Sequence, residues 1–340
     1  MQKDPQPDAI TTDDIKNAVA AGVLPQQHAQ ALLAFVAQSR QSPSQPDEES
    51  FRFIRSFNDI FVTIAIALVL FALNSLLSEV SEPVAMFATA AGSWAMAEYF
   101  TRRRRMAFPS IVLLGAFVVS VFIGTAQLLS FSADGLYQGT PAAVGAIAAV
   151  VAAGAHWLRF HVPITVAAGM AALIVFGMAL FGIDRTPSAV MLGGGLATLV
   201  VAMLFDTRDR QRLTRKADIA FWLHMLAAPL IVHGLFTILG ILTGSLTTAQ
   251  AGAVLAFYGA FGLLALVIDR RALLVSSLVY VLYAAGTLIA SSGFRDYSAG
   301  LTALAIGVFL LILSAGWSHL RALVIRAMPQ VVRDLVPPAN

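Results

Sequence analysis

Ten apolar runs, each close to 20 residues long, follow one another through this 340-residue chain, with short charged stretches between them. A run of that length matches the thickness of a bilayer's hydrocarbon core when it is wound as a helix. Within lipid, every backbone N–H and C=O must find its partner inside the protein. The choices are therefore α-helices or a closed barrel. A barrel strand would show roughly ten residues of alternating polarity, and no such alternation is present here. The runs lie near 60–78, 83–100, 109–131, 141–158, 162–182, 187–205, 218–239, 249–268, 272–291 and 298–317. They predict an all-α, polytopic transmembrane bundle of about ten spans. Composition agrees: 58% of residues are hydrophobic and 12% charged, far from the balance of a water-soluble domain.

The charge also predicts orientation. With the N-terminus inside, all but Arg185 and Arg295 of the 22 Lys and Arg residues fall on the cytosolic side. Among them are Arg102 to Arg105, the run from Arg208 to Lys216, and the pair Arg270 and Arg271. One miscounted span would scramble that bias. Both termini are thus expected in the cytosol. The net charge of +3 is explained by these loops, so nucleic acid is not an expected partner. The expected surroundings are the lipid bilayer. Cysteine is absent, which excludes disulfides and thiolate chemistry.

Residues 1–40 predict a cytosolic helical hairpin. Thr11 to Asp14 offer a cap and first-turn acids, a break follows at Gly22, and Pro25 opens a second helix. The second helix carries Ala29, Leu32, Leu33 and Val36 on one face. So small a unit needs something to dock on, and a protein partner at this hairpin is one expectation. Residues 41–57 read as a linker rich in Ser, Pro and acids, residues 58–320 as the bundle, and residues 321–340 as a cytosolic C-terminal tail. The polar first 50 residues contain no apolar signal-peptide core.

The candidate site lies in the seventh run, which holds Trp222, His224, Met225, Pro229 and His233. A polar side chain in hydrocarbon requires a partner on a neighbouring helix or water in a cavity. His224 and His233 are nine residues apart, which turns them to opposite faces of a straight helix. Pro229 could kink the helix and free the carbonyl of Met225. Met225, Pro229 and His233 recur every four residues, with Trp222 beside them, and define a possible substrate pathway. The plainer reading is two core histidines, each hydrogen-bonded to a neighbouring helix. Other polar groups are few. Glu98 stands four residues before Arg102 as an interfacial ion pair, and His156 and His161 flank Arg159 in what reads as a solvated loop. No carboxylate falls at the middle of a span. Gly193 to Gly195, Gly252, Gly259 and Gly262 are expected to let helices approach closely. No H-E-x-x-H, G-x-S-x-G or phosphate-binding loop occurs, and no histidine is followed five residues later by aspartate. No enzymatic activity, catalytic residue, metal or cofactor is expected.

Three stretches carry a resemblance: the hairpin ending A-A-G-V-L-P-Q-Q-H-A-Q-A-L-L, the entry S-F-N-D-I-F-V-T-I, and the tail A-G-W-S-H-L-R-A-L-V-I-R-A-M-P followed by L-V-P-P. In these the chain resembles a group of bacterial multi-pass, predicted inner-membrane proteins that carry a domain of unknown function. The resemblance implies a cytosolic hairpin followed by a multi-span bundle, and it implies no activity. Two functions fit the sequence. One is a transporter or exporter of a small molecule or lipid. The other is a membrane scaffold or sensor acting through the hairpin.

Overall fold

The computed structural model describes residues 12–41, 57–130, 139–181, 187–212, 214–241 and 246–337. Contacts divide the chain into two units, residues 1–51 and 52–340. The first holds α1 (Thr12–Ala20) and α2 (Gln26–Gln41), joined through Gly22 at φ +69°, a conformation that suits glycine. Ala29 is buried, whereas Val23 and Leu32 are exposed. The expected linker at 41–57 falls almost wholly outside the described residues.

Among the described residues the second unit contains helices and no strands. Its helices are α3 (Phe57–Ser78), α4 (Glu82–Ala97), α5 (Ala107–Leu129), α6 (Gly139–Phe160), α7 (Ile164–Phe181), α8 (Pro187–Thr207), α9 (Arg215–Ile238), α10 (Thr248–Ile268), α11 (Ala272–Ser291) and α12 (Ser298–Ala315). The shorter α13 (Trp317–Ala327) and α14 (Gln330–Leu335) follow. One helix thus corresponds to each apolar run of the sequence. Among the described residues, eight spans are long and apolar enough to cross a membrane. The remaining two are α4, 16 residues before a π-helical turn at Glu98–Arg103, and α11, whose apolar stretch runs through Ser277–Ser291.

The outward faces identify the solvent. On α3, Phe61, Ile64, Leu68 and Phe71 are 54–73% exposed, while Asp59, Thr63, Ile66 and Leu70 point inward. Such an apolar face at helical spacing is the reverse of a water-facing helix. The protein is therefore a membrane-embedded helical bundle.

α9 occupies the middle. It packs against α7, α8 and α11, and 61% of its apolar stretch is buried, against 6% for the last span. Two glycines explain its contact with α8. A Cβ on Gly234 would stand 2.7 Å from the Leu192 backbone nitrogen and 2.8 Å from the Ser188 carbonyl. One on Gly195 would stand 2.9 Å from the Ile231 backbone nitrogen. Backbone meets backbone here, which only glycine permits. Gly194 faces α7 instead, against Ile174. The other expected glycine contacts do not form. Gly193, Gly252 and Gly259 have open space around them, and Gly262 makes only ordinary contact with Leu274.

The expected C-terminal tail, residues 321–340, begins inside α13. Trp317 and Arg321 of α13 are buried, and Arg321 Nη2 donates to the Pro337 carbonyl at 2.6 Å, so the C-terminal segment folds back on itself and on the bundle.

Candidate functional site: a buried ionic cluster

The site begins where α8 ends. Asp206 is the next-to-last residue of α8 and is 1% exposed. Because α8 and α9 run antiparallel and press together through Gly195 and Gly234, this carboxylate faces the first half of α9. His224 meets it there: Nε2 donates to Asp206 Oδ2 at 2.8 Å, and His224 is fully buried. From the end of α10 comes Arg270, 3% exposed. Its Nη2 stands 2.5 Å from Asp206 Oδ1, and the same nitrogen donates to the Ala217 carbonyl of α9 at 3.2 Å. One carboxylate thus ties together three helices. The second imidazole nitrogen, His224 Nδ1, is buried and has no hydrogen-bond partner among the described residues.

A second layer lies beside the first. Asp269, next to Arg270 in the chain, caps α10 in the left-handed conformation at φ +60°. Its carboxylate accepts from Arg212 Nη1 at 3.1 Å and from Trp317 Nε1 at 2.9 Å, with Arg321 Nε at 3.4 Å. A non-glycine residue pays a steric penalty at this φ, and here the surrounding hydrogen bonds hold it in place. Arg212 also donates to the carbonyls of Ile268 and Asp269. The Arg271 guanidinium stacks 5.1 Å above the Trp317 ring. Arg210 donates to the carbonyls of Arg333 and Val336, which fastens the C-terminal segment to the α8–α9 loop. Within that loop Asp209 accepts from the Thr214 backbone at 2.8 Å and hydroxyl at 2.6 Å, and Thr214 caps α9 through Lys216 N. Asp269 and Arg270 therefore join two networks: Arg270 holds α8 and α9, and Asp269 holds the C-terminal segment.

The five candidate residues of α9 separate accordingly. His224 is inside the cluster. Trp222 and Met225 are half-buried, and Pro229 and His233 are exposed. α9 continues without interruption through Pro229, so no break brings the two histidines to one face. His233 Nδ1 pairs with the Tyr280 hydroxyl of α11 at 2.7 Å. The stripe from Trp222 to His233 does not line one interior path: its second half faces outward.

Other polar groups resolve differently from their sequence reading. His156 is not in a loop. It lies in α6, 1% exposed, with Nδ1 3.1 Å from Thr165 Oγ1 and its ring among Trp94, Phe117 and Phe160. The exposed residue of that pair is His161, just beyond the helix at φ +53°. Glu98 pairs with Arg102 at 3.3 Å, and more closely with Arg159 of α6, at 2.6 and 3.0 Å. Among the described residues, no group of three His, Asp or Glu side chains could hold a metal ion.

The chain matches no protein-family model, no curated protein and no solved structure. The chemistry of the cluster must therefore be read from its own geometry. It contains a carboxylate, an imidazole with one open nitrogen, and a fixed cation, at the end of the bundle where the arginines gather.

Asp206 and Arg270 were missed as site residues in the sequence. Both sit at the ends of apolar runs, where charge is read as an orientation signal. The one available hint was that a buried histidine in lipid requires a partner.

Proposed function

We propose that this protein is a transporter- or exporter-like multi-pass membrane protein for a small molecule or lipid, with the Asp206–His224–Arg270 cluster closing one end of its path. The observation that carries this reading is the burial of three ionisable side chains, the Asp206 carboxylate and its two partners His224 and Arg270, none more than 3% exposed. Apolar side chains of similar volume commonly hold a bundle as firmly as a buried ion pair does. Ionisable residues inside membrane bundles instead mark pathways and switches. A cluster that links three helices through one side chain is also suited to exchange between a closed and an open arrangement, since losing Asp206 contacts frees α8, α9 and α10 together.

In this reading the arginine-bearing end faces the cytosol, both termini are cytosolic, and the membrane is the bacterial inner membrane. The bias of Lys and Arg and the resemblance to bacterial inner-membrane proteins support it. No enzymatic role is proposed. The pathway face of α9 is the one carrying Leu223, His224 and Ala227, rather than the Pro229 and His233 face.

The test is a distance measurement between spin labels. Single cysteines at exposed Arg104 and Gln211, both at the arginine-bearing end, would be labelled in lipid nanodiscs. Transport requires two distance populations, with Asp206→Asn shifting the balance toward the longer one. The same single narrow distance in both proteins would overturn the proposal.

A second reading has its own support. Residues 1–51 form a unit of their own, with Val23 and Leu32 exposed. A hairpin of this kind suits a scaffold or sensor that binds a protein partner. Deleting residues 1–50 would abolish function under that reading and leave transport intact under the first.

A further inference from the structure

A groove of about 450 Å³ runs along the seam of α11 and α12, lined by Tyr283, Gly286, Thr287, Ser298, Thr302 and Ala303 among others. It is remote from the cluster and contains none of its residues. Thr302 is the one buried residue of α12, 5% exposed, yet its hydroxyl has no hydrogen-bond partner among the described residues. A buried hydroxyl without an acceptor is costly in lipid, where no water can supply one. Gly286 faces it across the seam: a Cβ there would stand 3.5 Å from Thr302 Oγ1. Small side chains on both walls keep the groove open where larger ones would have filled it. At its mouth, in the turn between the two helices, sit exposed Phe294, Arg295 and Tyr297. No acidic residue among those described pairs with the Arg295 side chain. Aromatic rings beside an unpaired cation mark the headgroup level of a bilayer. Thr302 lies seven residues further along, about 10 Å deeper.

We infer that this groove binds one phospholipid with an anionic headgroup, its phosphate at Arg295, an ester carbonyl accepting from the Thr302 hydroxyl, and an acyl chain beside Gly286 and Ala303. The order of chemistry along the seam, cation, then hydroxyl donor, then apolar wall, is the order of a phospholipid from phosphate through ester to chain. The faces of α12 around the groove carry exposed Leu301, Leu304 and Val308, so the opening is lateral, toward the hydrocarbon. This site stands whether or not the bundle transports anything.

Native mass spectrometry of the full chain in detergent, titrated with phosphatidylglycerol or phosphatidylcholine, tests it. One phosphatidylglycerol should remain bound after the remaining lipid is stripped. Thr302→Val, nearly isosteric, should weaken that binding by roughly 2- to 10-fold, the value of one neutral hydrogen bond. Gly286→Leu should abolish it by filling the groove. Arg295→Gln should equalise the two lipids. Unchanged retention in Thr302→Val overturns the proposal even if Gly286→Leu fails to fold. So does a dimeric mass without lipid, since a second copy would then cover the seam.

Discussion

Neutralising Asp206 should destabilise the bundle more than any other single change in charge. Its carboxylate serves Arg270 at 2.5 Å and His224 at 2.8 Å, and all three side chains are buried. At an effective dielectric near 20, two unit charges 4 Å apart attract by about 4 kcal/mol. That attraction is largely offset by the cost of taking both ions out of water, so the pair itself adds little. Removing one partner is another matter, because it leaves the Arg270 cation buried and uncompensated, at about 3–5 kcal/mol. Asp206→Asn still accepts from His224 and should cost about 3 kcal/mol, and Asp206→Ala about 5 kcal/mol. The double substitution Asp206→Leu with Arg270→Met removes both charges and should recover most of the loss, ending within about 1–2 kcal/mol of the native protein. The assay is unfolding of the purified protein in mixed micelles, followed by circular dichroism. A cost below about 1 kcal/mol for Asp206→Asn is what an exposed pair gives, and it would refute the burial argument.

Four further outcomes follow from the same geometry, the first three read by the same unfolding assay and the last by proteolysis. Gly234→Val drives a side chain into the α8 backbone and should cost at least about 3 kcal/mol, whereas Gly252→Ala meets open space and should stay within about 0.5 kcal/mol. His224→Ala opens a cavity and strips Asp206 of a donor, costing about 2–4 kcal/mol, while His233→Ala on the open face should cost under about 1 kcal/mol. Trp317→Phe removes the Nε1 donor to Asp269 and should cost about 1–3 kcal/mol. Arg210→Gln should release the C-terminal segment, seen as faster proteolysis near Pro337 with little change in global stability.

The spans were legible because hydrocarbon imposes a length and a hydropathy that few other structures share. The opposite facing of His224 and His233 was legible too, since nine residues on a helix turn them apart. Their partners were not. Asp206 lies 18 residues from His224 and Arg270 lies 64 from Asp206, and no local pattern joins them. Asp206, Arg210, Arg212 and Arg270 all fall in charge-rich connections, where the positive-inside bias explains them without any contact. His156 was misread because Arg159, His161 and Pro163 give its neighbourhood the composition of a loop, while α6 in fact continues to Phe160. The glycines divide for a similar reason. The sequence marks Gly195, Gly252 and Gly259 alike and passes over Gly234, and only the packing of α8 on α9 distinguishes Gly195 and Gly234 from the rest.

The central claim is that the inward face of α9 becomes wet when the cluster opens, while its outward face stays in lipid. The chain has no native cysteine, so single cysteines at Leu223 and Ala227 inside, and at Pro229 and His233 outside, can be tested with a membrane-impermeant thiol reagent. The account predicts slow labelling at Leu223→Cys and Ala227→Cys, accelerated when Asp206→Asn is added, with Pro229→Cys dark in both backgrounds. If Ala227→Cys stays dark with and without Asp206→Asn, the cluster is a structural rivet and the transport reading is wrong.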